Sequence, residues 1–305
     1  MKTVKLNPEF AHELACAIPH VYWLHKQGKL EKVITSKDMK PFYYFCDNVD
    51  EQFEHRTVST AEGGMTEDVI PMNWIHGSND AEGNFQNGVL DYSLGWEPPP
   101  YVKHYKNDEF KFDKPFIVIN NIYNIESAND ISKSRRYFDI KTLNELFNYL
   151  TEKGYLVIYK RPNNTEFVID QNEVLSVQRK ISLSESTNHG RITDYELCEY
   201  YNGNVININL LKEKYPQYSY NEFQLRLFSN AEGFVSVNGG GSILCAYFGK
   251  PVVVYVPAGK ELRDNYLDNP NSYFKKLGGC DVHPVLDPGN VNNYYKLINK
   301  VKEVF

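Results

Sequence analysis

Residues 116–120 (Phe-Ile-Val-Ile-Asn) form an unbroken apolar run, the mark of a strand buried on both faces of a parallel sheet. Further strands are predicted at residues 155–159, 204–208, 234–237 and 252–256. Helical spacings lie between them. Over residues 139–150, Ile140, Leu143, Leu146, Phe147 and Leu150 recur on one face, with Asp139 placed as an N-cap and Gly154 near the stop. Residues 219–229 turn Tyr220, Phe223 and Leu227 inward, and residues 290–304 close the chain as a helix. Strands alternating with helices predict a parallel sheet covered on both faces, a Rossmann-like domain.

The first hundred residues are less regular. A strand is predicted at residues 3–6 and a long helix at 9–26, with Phe10, Leu14, Ile18, Val21, Tyr22 and Leu24 apolar and Gly28 ending it. Strands follow at 33–35 and 42–45. Residues 47–114 are rich in Asn, Asp, Gly and Pro, and hold loops, short strands and the crossover between domains. A chain of 305 residues exceeds the usual reach of one core. Two domains are expected, residues 1–112 and 113–305, with the final helix free to pack back on the first.

Composition narrows the partners. A net charge of −6 argues against nucleic acid or an anionic membrane, so any phosphate site must be local. No apolar run reaches the roughly 18 residues that a membrane span needs. The five cysteines are scattered without Cys-x-x-Cys spacing, and the N-terminus lacks a signal-peptide pattern. Reduced thiols in a cytoplasmic protein are the simplest reading. Twenty-three tyrosines and seventeen phenylalanines are many for this length; such rings suit sugars, though core packing uses most of them.

The segment with most chemistry is Asn238, Gly239, Gly240, Gly241 and Ser242, between a short apolar strand and a short helix. Glycines allow positive φ and let bare N–H groups approach a ligand. The helix after them aims its unpaired amides at the same spot, which suits a phosphate or diphosphate. A glycine turn that binds nothing has the same pattern.

Two Rossmann-like halves with such a turn late in the second resemble the GT-B superfamily of nucleotide-sugar glycosyltransferases. Two stretches carry the likeness. Residues 6–20, Leu-Asn-Pro-Glu-Phe-Ala-His-Glu-Leu-Ala-Cys-Ala-Ile-Pro-His, resemble the strand-turn-helix of heptosyltransferase-like enzymes, with Pro19 six residues after Glu13, and also the opening of bacterial fucosyltransferases without its glycines. Residues 236–251 resemble the heptosyltransferase strand, turn and Ala-rich helix where the donor diphosphate sits. Glu13 stands where that pattern has Asp, and Asn238 where it has an acid.

The resemblance implies an α/β, GT-B-like fold whose two domains face across a cleft. It implies an inverting transferase using a nucleotide-diphosphate sugar as substrate, a glycan acceptor and no separate cofactor. The absence of Asp-x-Asp and of a His/Cys cluster points to metal independence. Glu13, with Glu9 and His12 beside it, is the candidate base; each acid also suits a helix's first turn for dipole reasons alone. Asn121 and Tyr123, in a stretch resembling the interdomain loop, Arg161 after the next strand, and Glu222 on the helix before the glycine turn are candidate donor ligands. Arg161 and Glu222 read equally as solvated charges. Asp170 and Glu173 are weaker candidates for the crevice, and His104 and His283 read as ordinary histidines.

Two other readings remain. Gly249-Lys250-Pro251 after a glycine turn and apolar helix also resembles nucleotide-sugar 2-epimerases, although their Arg-Pro-Glu signature is missing. A non-catalytic sugar- or nucleotide-binding protein on the same scaffold would explain the missing N-terminal glycines.

Overall fold

The structure, a computed structural model, describes residues 1–54, 56, 95–122, 137–161, 185–187, 190–257, 260–262, 266–287 and 294–305. The first lobe opens with β1 (Lys2–Lys5) and a helical run in three parts: α1 (Phe10–His12), a π-helical turn (Glu13–Ala17) and α2 (Ile18–Lys26). It continues through β2 (Leu30–Ser36), a 3-10 turn (Lys40–Tyr43) and β3 (Val49–Phe53). The three strands are parallel, in the order β1-β2-β3.

The strand expected at residues 42–45 is replaced by that 3-10 turn. A short aromatic run has no period by which a strand differs from a buried turn, and Pro41 favours the first turn of a helix. Phe42 is fully buried and meets Phe10 and Tyr101 edge-on, at 5.7 and 5.8 Å between ring centroids.

After α3 (Tyr101–Tyr105), the second lobe runs through β4 (Phe116–Asn120), α4 (Ile140–Glu152), β5 (Leu156–Lys160) and a small antiparallel pair, β6 (Glu185–Thr187) and β7 (Gly190–Ile192). Then come α5 (Asp194–Glu199), β8 (Val205–Asn207), α6 (Ile208–Glu213), α7 (Tyr220–Phe228) and β9 (Gly233–Val237). The chain ends with α8 (Gly240–Ala246), β10 (Val252–Val256), α9 (Tyr273–Gly278), β11 (Val282–Leu286) and α10 (Tyr295–Val304). Asp139 caps α4, accepting from the Thr142 amide at 2.8 Å, an interaction worth about 1 kcal/mol. Strand β11 was not legible because His283 and Pro284 interrupt its apolar run; proline is tolerated there because the strand lies at the sheet edge. The last helix packs on α4, β10 and β11. It covers the second sheet rather than returning to the first lobe.

All six strands of the second sheet are parallel, in the order β11-β10-β9-β4-β5-β8. One face, with Ile117, Ile119, Val157, Tyr159, Val235 and Tyr255, forms a core with α4 and α10. The opposite face, with Val118, Ile158, Phe234 and Val254, belongs to a core that continues without a break into the first lobe. An apolar interface therefore joins the lobes. From β4 the chain moves outward to β5 and β8, then returns to the other side of β4 at β9. The carboxyl ends of β4 and β9 thus flank a topological switch point, where open α/β sheets bind ligands.

Candidate functional site

Asn120 ends β4 and is the register partner of Ser236 on β9. Its Nδ2 donates to Ser236 Oγ at 2.8 Å; the Ser236 hydroxyl donates onward to the Val237 carbonyl at 2.8 Å. Asn120 is fully buried, and its Oδ1 has no hydrogen-bond partner among the described residues. The glycine turn sits directly over this pair, since a Cβ on Gly241 would lie 2.4 Å from Asn120 Nδ2.

The three glycines serve different ends. Gly239 alone takes a positive φ, 146°; Gly240 and Gly241 have ordinary negative φ, which corrects the expectation that all three were needed for backbone freedom. Gly240 is required for space, because a Cβ there would stand 2.9 Å from the Phe10 ring and 3.3 Å from the Ala11 nitrogen. The turn therefore lies against the first helical turn of the other lobe. Ser242 is spent locally: its Oγ accepts from the Gly239 amide at 3.2 Å and donates to the Gly239 carbonyl at 2.8 Å. Asn238 is buried, and its amide donates to Tyr255 of β10 at 2.9 Å. The amides of Gly240 and Gly241 belong to the helix's first turn, which has no intrahelical acceptors for them.

Beside Phe10 and Ala11 in sequence, Glu9 and His12 form a pair with Nδ1 and Oε2 at 3.1 Å, and Glu9 is the more open of the two. Glu13 is different. It is completely enclosed: Thr35 and Tyr43 hydroxyls each donate to Oε1 at 2.8 Å, and the Arg56 guanidinium holds Oε2. Arg56 also donates to the Pro8 carbonyl at 2.9 Å. A carboxylate held by a cation and two hydroxyls and fully enclosed anchors the helix; the open carboxylate expected of the first-choice base is not what this structure shows at Glu13. Desolvation, then the charge and hydrogen bond of Glu13, push the Tyr43 phenol well above its ordinary range, so Tyr43 stays a donor.

Three other expectations change. Arg161 is committed to buried Asp194, donating from Nε at 2.5 Å and from Nη2 at 3.0 Å, with its guanidinium stacked 4.1 Å from the Tyr195 ring. Burial opposes its charge, but the Asp194 hydrogen bonds and charge more than offset this, and the net shift is upward. Asn121 is fully buried with its amide saturated: it accepts from the Phe138 amide at 2.8 Å and donates to the Phe138 carbonyl and the Tyr159 hydroxyl. Glu222 pairs with Arg226 at 3.0 Å and faces the first lobe beside Asp38 and Tyr44, not the glycine turn's neighbours. Tyr123, Asp170 and Glu173 lie outside the described residues.

Sequence reading passed over Asn120, Ser236 and Phe10. The period of two along β4 and β9 puts Asn120 and Ser236 on the face that α7 and α8 cover, a usable signal. Phe10 carried none, because its role depends on a contact with a residue 230 positions away.

Two parallel-sheet α/β halves joined in this way constitute a GT-B-like fold. It is similar over 100% of the chain to E. coli ADP-heptose LPS heptosyltransferase II, at TM-score 0.53 and 11% identity, covering 98% of that chain. E. coli heptosyltransferase WaaC with ADP-2-deoxy-2-fluoro heptose gives TM-score 0.51 and 13% identity over 99% of this chain and 98% of that one. WaaC with ADP gives 0.50 and 11% over the same shares. No family model matches the sequence, and no curated protein matches it. Among the described residues, no helix is long and apolar enough to cross a membrane.

Proposed function

We propose that this protein is an inverting glycosyltransferase that moves a sugar from a nucleotide-diphosphate donor to a hydroxyl of a glycan acceptor. The carrying observation is the glycine turn: it opens at the switch point of the second sheet and lies against the helical turn bearing Glu9 and His12. The whole-length likeness in fold to heptosyltransferases, one of them seen with ADP and with an ADP-sugar analogue, supports the same reading.

In this mechanism the donor diphosphate lies on the amides of Gly240 and Gly241. These pre-oriented dipoles meet the charge that develops as the bond from the anomeric carbon to the phosphate oxygen breaks, without metal. The acceptor oxygen attacks the opposite face of that carbon, and the Glu9–His12 pair takes its proton. Configuration inverts, and the electron pair of the broken bond leaves on the nucleoside diphosphate. Glu13, held by Arg56, Thr35 and Tyr43, positions the helix that carries the base.

A melting screen with ADP, UDP, GDP and CDP, followed by incubation with the matching nucleotide sugars, tests this. A nucleotide-dependent rise in melting temperature and slow release of free sugar are expected. No shift with any nucleotide, or recovery of a sugar epimer in place of free sugar, would overturn it.

A further inference from the structure

A concavity of about 380 Å³ lies where α7 meets the 3-10 turn and α3. Both lobes build it: Asp38, Lys40 and Tyr44 come from the first, Glu222 and Arg226 from the second, and His104 from the connection between them. Its size falls in the range of small-ligand pockets.

Asp38 is 7% exposed and sits in a left-handed conformation, φ 62°, which any residue but glycine adopts at a cost. Its Oδ2 accepts from the Asn221 amide at 2.8 Å, and its carbonyl accepts from the Asn221 side chain at 2.6 Å, tying the lobes together. Oδ1 is buried, and among the described residues no hydrogen bond to it meets the distance and angle of a well-formed one. Along the wall, the Tyr44 and His104 rings are stacked with centroids 3.7 Å apart and planes 13° from parallel, a rigid flat platform. Burial holds the Tyr44 phenol up at about 12, so it remains a neutral hydroxyl.

The lining carries three carboxylates, Asp38, Glu51 and Glu222, against the two cations Lys40 and Arg226, an excess of a single negative charge. Arg226 is paired with Glu222 and lies 4.5 Å from the Tyr218 ring, while Glu51 accepts from the Lys40 amide at 2.7 Å. No cluster of one sign is left to attract a phosphate or a polyamine. Carboxylate acceptors, ammonium and guanidinium donors and an aromatic platform converge instead, a set that fits several hydroxyls on one ligand with an apolar ring face.

We infer that this interlobe pocket binds a neutral saccharide unit, with its ring face on the Tyr44–His104 platform and its hydroxyls on Glu222 and Lys40. The inference stands apart from the transfer reaction, since it uses none of the glycine-turn residues.

Saturation-transfer NMR on the full chain tests it, using millimolar methyl glycosides of glucose, galactose, mannose and N-acetylglucosamine, with choline as a charged comparator and inorganic phosphate added as a competitor of the glycoside signal. At least one glycoside is expected to receive saturation, and its affinity to fall about tenfold or more in Tyr44→Ala and in the surface variant His104→Ala. Both variants should keep the wild-type circular dichroism spectrum and the nucleotide-induced melting shift, which separates this site from the one proposed for the donor. Absence of saturation for every glycoside, a signal unchanged in a folded His104→Ala, or binding of phosphate or choline in the glycosides' place would overturn the inference.

Discussion

Asn120 and Ser236 face each other across the point where the second sheet reverses its winding, joined by a 2.8 Å hydrogen bond under the glycine turn. Ser236→Ala removes the acceptor and leaves a fully buried amide donor unpaired. The expected loss is about 1–3 kcal/mol, read as a lower urea midpoint at unchanged slope. A midpoint equal to wild type would mean that the Asn120 side chain finds another acceptor.

The glycines should separate into three classes. Gly241→Ala drives a Cβ into the buried Asn120 amide, and Gly239→Ala is strained by its φ of 146°. Each should lower stability by about 1–3 kcal/mol. Gly240→Ala brings a Cβ to 2.9 Å from the Phe10 ring and 3.3 Å from the Ala11 nitrogen, so it too should lower stability and, beyond that, block the diphosphate, as Gly240→Val should more strongly. Melting curves with and without nucleotide check both effects; an undiminished nucleotide shift in Gly240→Val would remove the turn from the donor site.

Glu13 and Glu9 should respond in opposite ways. Glu13→Gln strands the Arg56 charge, whose side chain is 2% exposed, and should cost about 3–5 kcal/mol. Glu9→Gln should leave stability near wild type while slowing transfer by about 10²–10⁴-fold. Denaturation and single-turnover transfer on the same preparations measure the pair. A stable, inactive Glu13→Gln would return the base to Glu13.

Arg161→Ala leaves Asp194 buried and unpaired, with only Tyr159 still donating to it at 2.6 Å. A stability loss of about 3–5 kcal/mol is expected, with nucleotide affinity of the folded protein unchanged. A large rise in the nucleotide Kd without destabilisation would place the guanidinium on the phosphates after all.

Burial pushes the Asp38 carboxyl up to about 6, with hydrogen bonds from Ser219 and Asn221 offsetting part of the effect. The folded protein therefore holds this proton at pH values where the unfolded chain has released it. The associated stability is fully present below about pH 4 and is lost as pH rises through 6, amounting to about 3 kcal/mol at most. Asp38→Asn should flatten that step. Urea midpoints of wild type and variant at pH 4.5 and 7.5 supply the comparison, and parallel pH profiles would refute it.

The second lobe was largely legible because buried parallel strands are unbroken apolar runs and their helices have clean caps, as at Asp139 and Ser219. Sequence also located the glycine turn. It could not separate Gly239, needed for its φ, from Gly240 and Gly241, needed for clearance, because clearance depends on Phe10 and Asn120 in distant segments. Arg161 and Glu13 were misjudged for a related reason. A charge after a strand or in a helix's first turn looks exposed until Asp194 or Arg56 is found folded against it.

The π-helical turn Glu13–Ala17 holds one residue more than an α-helical path would. Its wider spacing offers the Leu14 carbonyl to the Tyr247 hydroxyl of the second lobe at 2.6 Å, and the Ala15 carbonyl to the Trp96 indole at 2.8 Å. That extra residue also sets the bearing of everything before it. Deleting Ala15 would let the helix wind regularly, but would swing the turn that carries Phe10 and Ala11 by about 100° relative to α2, away from Gly240 of the other lobe.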